Sequence, residues 1–133
     1  MGLTVAPFLM FEGTAGAALE LYAAAFDDAE VVDVQRFGDD GPGKPGTIER
    51  AVLRLGDQQV RLFDSDVEHA FGFTPAVSLF VELDSAEEVD AAFAALSADG
   101  EVLMPLASYP FSPRFAWIND RFGVSWQLTV RTA

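Results

Sequence analysis

The stretch 115-FAWINDRFGVSWQLTV-130 decides the fold. It predicts two strands joined by a tight connection at residues 119–123. In the second strand apolar and polar residues alternate with a period of two, which is typical of a strand with one buried apolar face and one separate polar face. The apolar face carries Trp126 and the polar face carries Gln127. Trp117 and Trp126, the two tryptophans of the protein, both lie in this hairpin.

The segment before this hairpin is predicted to add a strand, a helix and a further strand. The predicted order is a strand at 76–83, a helix from Asp84 or Ser85 to about residue 98, a strand at 101–106 and a loop at 107–113. The helix has an apolar stripe at the spacing of one helix face, formed by Val89, Ala92, Phe93 and Leu96. This half therefore reads as strand, helix and three strands.

The first half of the chain has the same order of elements. The predicted elements are a strand at 4–11, a helix at 15–26, a strand at 30–37, a glycine-rich loop at 38–46 and hairpin strands at 47–55 and 58–63. Thr14 is placed to cap the helix, and residues 64–74 read as a linker. The glycine-rich loop is not followed by a helix, so it does not resemble a phosphate-binding motif.

Sliding the sequence along itself shows that the two halves repeat. One shift places Leu9 on Leu79 and Leu19 on Val89, and a slightly shorter shift later in the modules places Leu62 on Trp126. Such duplication indicates the fold. We predict an α+β fold in which two βαβββ modules form a curved eight-stranded mixed sheet around a cavity, with the helices on the convex side. Residues 1–133 would form one domain, with modules at about 1–66 and 76–133 and a linker at 67–75.

Composition limits the classes of function. The chain has 133 residues, half of them apolar, which is typical of a folded globular domain. The net charge of −13 argues against partners such as nucleic acid and anionic membranes, although an acidic surface also serves solubility. No apolar run reaches the roughly 18 residues of a membrane span, and residues 1–11 lack the basic region of a signal peptide. With no cysteine, we expect no disulfide or thiolate site and a cytoplasmic protein.

Paired βαβββ modules in a chain of this size resemble the vicinal oxygen chelate superfamily, which includes glyoxalase I and the extradiol dioxygenases. The chain is most similar to the PhnB-like branch, whose members carry the label "3-demethylubiquinone-9 3-methyltransferase domain". The stretches that carry the resemblance are 18-ALELY-22, 46-GTI-48, 73-FTPAVSLFV-81, 85-SAEEV-89 and 120-DRFGVSWQ-127. The resemblance implies the predicted fold and a homodimer. The label alone does not indicate methyl transfer, because residues 11–14 lack the glycine-rich turn that usually holds a nucleotide-like methyl donor.

Strand parity predicts which side chains line the cavity. If Val77, Leu79, Val81 and Leu83 face the helix, the alternate residues of each strand face the concave side. The candidate ligand-binding residues are Phe8, Met10, Arg50, Ser78, Phe80, Phe115, Trp117 and Gln127. Apolar walls with a few polar groups are the usual make-up of a small-molecule site. Phe8, Met10 and Phe80 are also consistent with core positions, Trp117 with dimer packing, and Arg50 with an ion pair to Glu82 or near Glu49.

Superfamily members that bind a metal place His, Glu or Gln at concave positions, and this chain departs from that pattern. The matching positions are Phe8, Arg50, Ser78 and Gln127. A divalent ion needs three or four converging ligands, so we predict no metal and no cofactor. A different strand register would leave a metal site from Glu12, Glu82, Gln127 or His69 as the alternative.

These observations predict a protein that binds a small organic molecule, with anionic and aromatic compounds as candidates. The alternatives are a metal-dependent lyase or dioxygenase and a small-molecule methyltransferase. Whether the protein is an enzyme is left open, because Glu12 and Glu82 have no evident partner for acid–base work.

Overall fold

A computed structural model describes residues 2–132 in two compact units, which divide between His69 and Ala70. The first unit contains β1 (Phe8–Phe11), α1 (Ala15–Ala25), β2 (Ala29–Arg36), β3 (Ile48–Leu55) and β4 (Gln58–Asp64). The second contains β5 (Leu79–Leu83), α2 (Ala86–Ser97), β6 (Glu101–Tyr109), β7 (Ser112–Asn119) and β8 (Ser125–Val130). The α+β fold with two βαβββ modules is therefore confirmed.

The two sheets have the same topology. The first has the strand order β1-β4-β3-β2 and the second has the order β5-β8-β7-β6. In each sheet the first and last strands of the module are parallel, and the remaining neighbours are antiparallel. Leu9 pairs with Leu62 in the first sheet, and Leu79 pairs with Trp126 in the second. The sequence repeat places Leu9 on Leu79 and Leu62 on Trp126, so the two pairs are equivalent. The curved eight-stranded sheet and its cavity stay predictions.

Each sheet buries one face against its own helix, and the apolar stripe of that helix completes the core. α1 packs on β2, β3 and β4, and α2 packs on all four strands of the second sheet. Trp126 is fully buried, and its indole Nε1 donates a hydrogen bond to Asp120 Oδ2 at 3.0 Å. The prediction that Trp126 belongs to the core is confirmed.

The two helices begin in different ways. Ser85 caps α2, since its Oγ accepts a hydrogen bond from the Glu88 backbone N–H at 3.1 Å. Thr14 occupies the N-cap position of α1 as predicted, but its side chain makes no capping hydrogen bond. Asp64, at the end of β4, supplies the missing acceptor. Its Oδ1 accepts from the N–H groups of Gly13 and Ala15 at 2.8 and 2.9 Å.

Several strand ends differ from the prediction. β1 begins at Phe8 rather than at residue 4, directly after Pro7, which has no N–H for a strand ladder. β5 begins at Leu79 rather than at residue 76, because residues 74–77 form a turn in which the Val77 N–H bonds the Thr74 carbonyl at 3.4 Å. Val77 is 78% exposed and does not face the helix as predicted.

The predicted loop at 107–113 is mostly strand. β6 continues to Tyr109 and β7 begins at Ser112, and these two residues pair directly across a two-residue connection. The rings of Tyr109 and Phe111 stack, with centroids 5.5 Å apart, and both meet Phe115 edge-on. This aromatic cluster fastens the tip of the hairpin. Within residues 2–132, no helix is both long and apolar enough to cross a membrane.

Candidate functional site

Three of the predicted site residues lie side by side in the second sheet. Phe80 and Trp117 are the pairing partners of Gln127 on the two strands that flank β8. Paired residues point to the same face of a sheet, so the three side chains form one row. Phe80 is 60% exposed, whereas Trp117 and Gln127 are half-buried. We call this row the amide face.

Hydrogen bonds orient the polar groups of the amide face. Gln127 Nε2 donates to Ser78 Oγ at 3.0 Å, and Trp117 Nε1 donates to Ser125 Oγ at 2.8 Å. Gln127 Oε1 accepts no hydrogen bond from residues 2–132, and this oxygen is not fully buried. The side-chain amide is therefore held by one end while its oxygen can accept a hydrogen bond from a ligand.

Phe115 lies on the same side of the sheet but is closed off. It is only 2% exposed and packs against the rings of Tyr109 and Phe111. Its neighbour Thr129 is also buried, and Thr129 Oγ1 donates to Ser112 Oγ at 2.7 Å. Phe115 thus supports the sheet beneath the aromatic cluster, and the accessible part of this face is the row centred on Gln127.

The first sheet presents a second apolar surface, which contains Phe8 and Met10. The Phe8 ring stacks on Phe63 at a centroid distance of 4.8 Å, and Phe8 remains 62% exposed. Met10 pairs with Phe63 across the parallel strands and is half-buried. The sequence alone does not indicate Phe63 as a site residue, because its place beside Phe8 and Met10 depends on the parallel pairing of β1 with β4.

Arg50 forms an ion pair, but not the predicted one. Arg50 Nη2 lies 3.2 Å from Asp33 Oδ2, and both side chains are about half exposed. Glu82, one of the two partners that the sequence suggested, lies 3.8 Å from Arg131 within the second unit. A bulge in β2 shifts its register between Val31 and Asp33, which brings the Asp33 carboxylate near Arg50.

Arg54 lies on the same face of β3 and is more firmly paired than Arg50. Its Nη1 donates to Asp28 Oδ1 at 2.8 Å, and its Nε donates to Glu30 Oε1 at 3.4 Å. The hydrogen bond with Asp28, then that with Glu30, raises the pKa of Arg54 above its ordinary value. The guanidinium of Arg54 is therefore already paired with these two carboxylates.

Two buried carboxylates were missed by sequence reasoning. Asp64 is 3% exposed, and besides capping α1 it accepts from the Ile48 N–H through Oδ2 at 2.8 Å. Asp120 is 3% exposed and accepts from the N–H groups of Phe122 and Val124 as well as from Trp126. An aspartate before a glycine-containing turn indicates the role of Asp120. No local signal indicates that of Asp64, whose partners are distant in the sequence.

The residues at the superfamily's metal positions do not fit a divalent ion. The nitrogen end of the Gln127 amide faces Ser78, Phe8 has no donor atom, and Arg50 is a cation held by Asp33. Two of the alternative ligands are also engaged, because His69 Nε2 lies 2.9 Å from Ser65 Oγ and Glu82 pairs with Arg131. Residues 2–132 contain no group of three or more His, Cys, Asp or Glu side chains placed to hold a metal.

Comparison with known proteins identifies the family. Residues 4–129 match the family model described as 3-demethylubiquinone-9 3-methyltransferase. A solved structure titled "Putative 3-demethylubiquinone-9 3-methyltransferase, PhnB protein" from Bacillus cereus is 48% identical, with a TM-score of 0.92 over 97% of this chain and 100% of that chain. Protein PA1353 from Pseudomonas aeruginosa is 26% identical, with a TM-score of 0.85 over 99% of this chain and all of that chain. None of the curated proteins matches significantly.

More distant structures share the fold. A glyoxalase/bleomycin resistance protein from Albidiferax ferrireducens is 16% identical, with a TM-score of 0.63 over 95% of this chain and 98% of that chain. The fosfomycin resistance protein of Listeria monocytogenes is 12% identical, also with a TM-score of 0.63, over 99% of this chain and 95% of that chain. With its repeated modules and its match across residues 4–129, the chain belongs to the 3-demethylubiquinone-9 3-methyltransferase family, the PhnB-like branch of the vicinal oxygen chelate fold.

Proposed function

We propose that this protein binds a small organic molecule without a metal ion, and that Gln127 contributes the main polar contact. The observation that supports this most strongly is the oriented amide of Gln127 between two aromatic side chains. Ser78 holds its nitrogen at 3.0 Å, while Phe80 and Trp117 pair on either side of it. An amide acceptor beside aromatic walls suits a flat ligand with a hydrogen-bond donor.

A nucleotide-like methyl donor is not favoured by the start of α1. Such cofactors usually bind where backbone N–H groups at a helix N-terminus are open to an anionic group. Here the N–H groups of Gly13 and Ala15 already bond the buried Asp64 carboxylate. The family description therefore does not lead us to propose methyl transfer, and the side chains around Gln127 do not lead us to propose metal chemistry.

The proposal is tested by screening metabolite classes for thermal stabilisation and following each positive compound by tryptophan fluorescence. We expect a ligand to change the emission of Trp117 and to bind about tenfold more weakly to Gln127→Ala, because one buried hydrogen bond is lost. Gln59→Ala is the matched control, since Gln59 is exposed and lies in the other unit. A screen in which no compound raises the melting temperature would count against the proposal, as would equal affinity in the two variants.

We also propose that the protein forms a homodimer. Phe111, at the tip of the β6–β7 hairpin, is 62% exposed, and Val102 on the edge strand β6 is 46% exposed. These are two separate apolar side chains rather than one large patch, so the proposal is supported mainly by the homodimer that the family resemblance implies. Sedimentation at micromolar concentration should give twice the monomer mass, and Phe111→Ser should weaken the association. A monomer at these concentrations would contradict the proposal.

A further inference from the structure

One arginine on the face of the first sheet has no partner. Of the seven arginines, Arg61 is the one whose side chain makes no hydrogen bond, ion pair or ring contact with residues 2–132. The other six contact a carboxylate, a carbonyl or a ring: Arg36, Arg50, Arg54, Arg114, Arg121 and Arg131. In a chain of net charge −13, acidic partners are abundant, so an unpaired guanidinium is unusual here.

Arg61 lies beside an exposed aromatic pair. Its pairing partner on β1 is Phe8, and its partner on β3 is the buried Val52, so all three side chains share one face. Phe8 stacks on Phe63 at 4.8 Å and is 62% exposed. The backbone of Arg61 is anchored, because its N–H bonds the Pro7 carbonyl at 2.9 Å. The guanidinium of Arg61 and the exposed ring of Phe8 therefore lie next to each other on the paired strands β4 and β1.

The repeat shows that this combination is particular to the first module. The shifts that superpose the modules place Phe8 on Ser78, Arg61 on Ser125 and Phe63 on Gln127. Ser125 is buried and bonded to Trp117, whereas Arg61 is exposed. At the neighbouring core positions both modules keep large apolar residues, Leu62 and Trp126. The two modules thus share a scaffold but differ in the chemistry of this face.

We propose that Arg61, Phe8 and Phe63 bind an aromatic carboxylate. The planar guanidinium can donate two parallel hydrogen bonds to a carboxylate, while the ligand ring packs on the exposed Phe8 ring. Arg50 and Arg54 lie on the same face, but each is paired with acidic side chains, so the unpaired positive charge comes from Arg61. This assignment goes beyond the proposed function, because it adds a separate site for an aromatic carboxylate within the first unit.

Titration of the full chain with benzoate, followed by two-dimensional 1H–15N NMR, tests the assignment. We expect saturable shifts at the amides of β1 and β4. Benzamide, which lacks the charge, and acetate, which lacks the ring, should each bind more weakly. Arg61→Gln should weaken benzoate binding by about fivefold, the scale of a partly exposed charge pair. Arg121→Gln makes the same change of net charge in the other unit and should leave the affinity unchanged.

The outcomes separate the assignment from the broader proposal. Equal binding of benzoate and benzamide, or wild-type affinity in Arg61→Gln, would overturn the aromatic-carboxylate site. Shifts confined to β8 around Gln127 would also overturn it while supporting small-molecule binding at the amide face. Shifts at β1 and β4 that persist in Gln127→Ala, with none at β8, would support the site as one that does not depend on the amide face. If Arg61→Gln fails to fold, Phe8→Leu serves instead, and it should remove the preference for benzoate over acetate.

Discussion

At the scale of single residues, buried carboxylates fix the local structure of both modules. Asp64 joins three segments, since it accepts hydrogen bonds from Gly13, Ala15 and Ile48. Asp120 closes the turn between β7 and β8 and also holds Trp126. An ionised carboxylate accepts several N–H bonds at once, which a neutral side chain of similar shape does not. These residues are therefore structural rather than catalytic.

We expect Asp64→Asn to lower the free energy of unfolding by about 3 kcal/mol, because a charge-assisted acceptor is lost and a buried N–H group is left without a partner. Urea unfolding followed by circular dichroism measures the change. Asp66→Asn is the control, since Asp66 is exposed and lies two residues further along the chain. Equal stability of the two variants would show that the carboxylate is not needed.

At the scale of elements, the two helices have a similar length of about three turns, but their N-termini are capped by different residues. Within α2's first turn, the Ser85 cap is local, and its hydroxyl also bonds the Glu88 carboxylate at 3.1 Å. For α1 the cap comes from β4, so its start depends on the folded sheet. A local cap stabilises a helix directly, whereas a distant cap couples the helix to the strand that carries it.

We therefore expect Ser85→Ala to destabilise the protein by about 1 kcal/mol, the usual effect of removing a serine cap. Thr14→Ala should have a smaller effect, because the Thr14 side chain makes no capping bond. Thermal unfolding of the two variants under identical conditions provides the comparison. A larger loss for Thr14→Ala would contradict the assignment of the caps.

Much of the fold could be predicted because the periodic patterns are local. The alternation around Trp126 and Gln127 and the stripe through Val89 and Leu96 correspond to β8 and α2. Strand ends were less predictable, since the turn at 74–77 interrupts an alternating pattern. The partner of Arg50 was not predictable, because a bulge in another strand sets which carboxylate it meets. Arg61 could not be predicted, because the sequence does not show which arginine lacks an acidic partner in the folded protein.

At the scale of the whole molecule, the repeated module provides the scaffold, and the net negative charge determines how stability depends on salt. Acidic residues number 21 against 8 lysines and arginines, and the ion pairs made by Arg50, Arg54, Arg114 and Arg131 lie at exposed or half-exposed positions. Such exposed pairs contribute little to stability, whereas the excess negative charge repels itself. We therefore expect salt to weaken the repulsion among the excess acidic residues more than it weakens the attraction within the surface ion pairs.

We expect the melting temperature to rise by a few degrees between about 10 mM and about 0.5 M sodium chloride, because the screening length falls well below the size of the molecule. Differential scanning calorimetry across this range measures the effect. Repeating the series with potassium chloride tests whether it is a general screening effect. A melting temperature that falls with salt would show that the surface ion pairs outweigh the net charge.

The parallel pairing of β1 with β4 has a consequence for how the chain folds as it is made. Leu9 meets Leu62, and the Gly13 N–H meets a carboxylate 51 residues further along. At translation speeds of about 5–20 residues per second, the first strand waits roughly 3–10 s before its neighbour exists. During that interval Leu9 and Phe11 have no sheet to join. The nascent first module therefore passes through a period of exposure in which the ribosome surface or a chaperone can hold it, and it closes as a unit when Asp64 emerges.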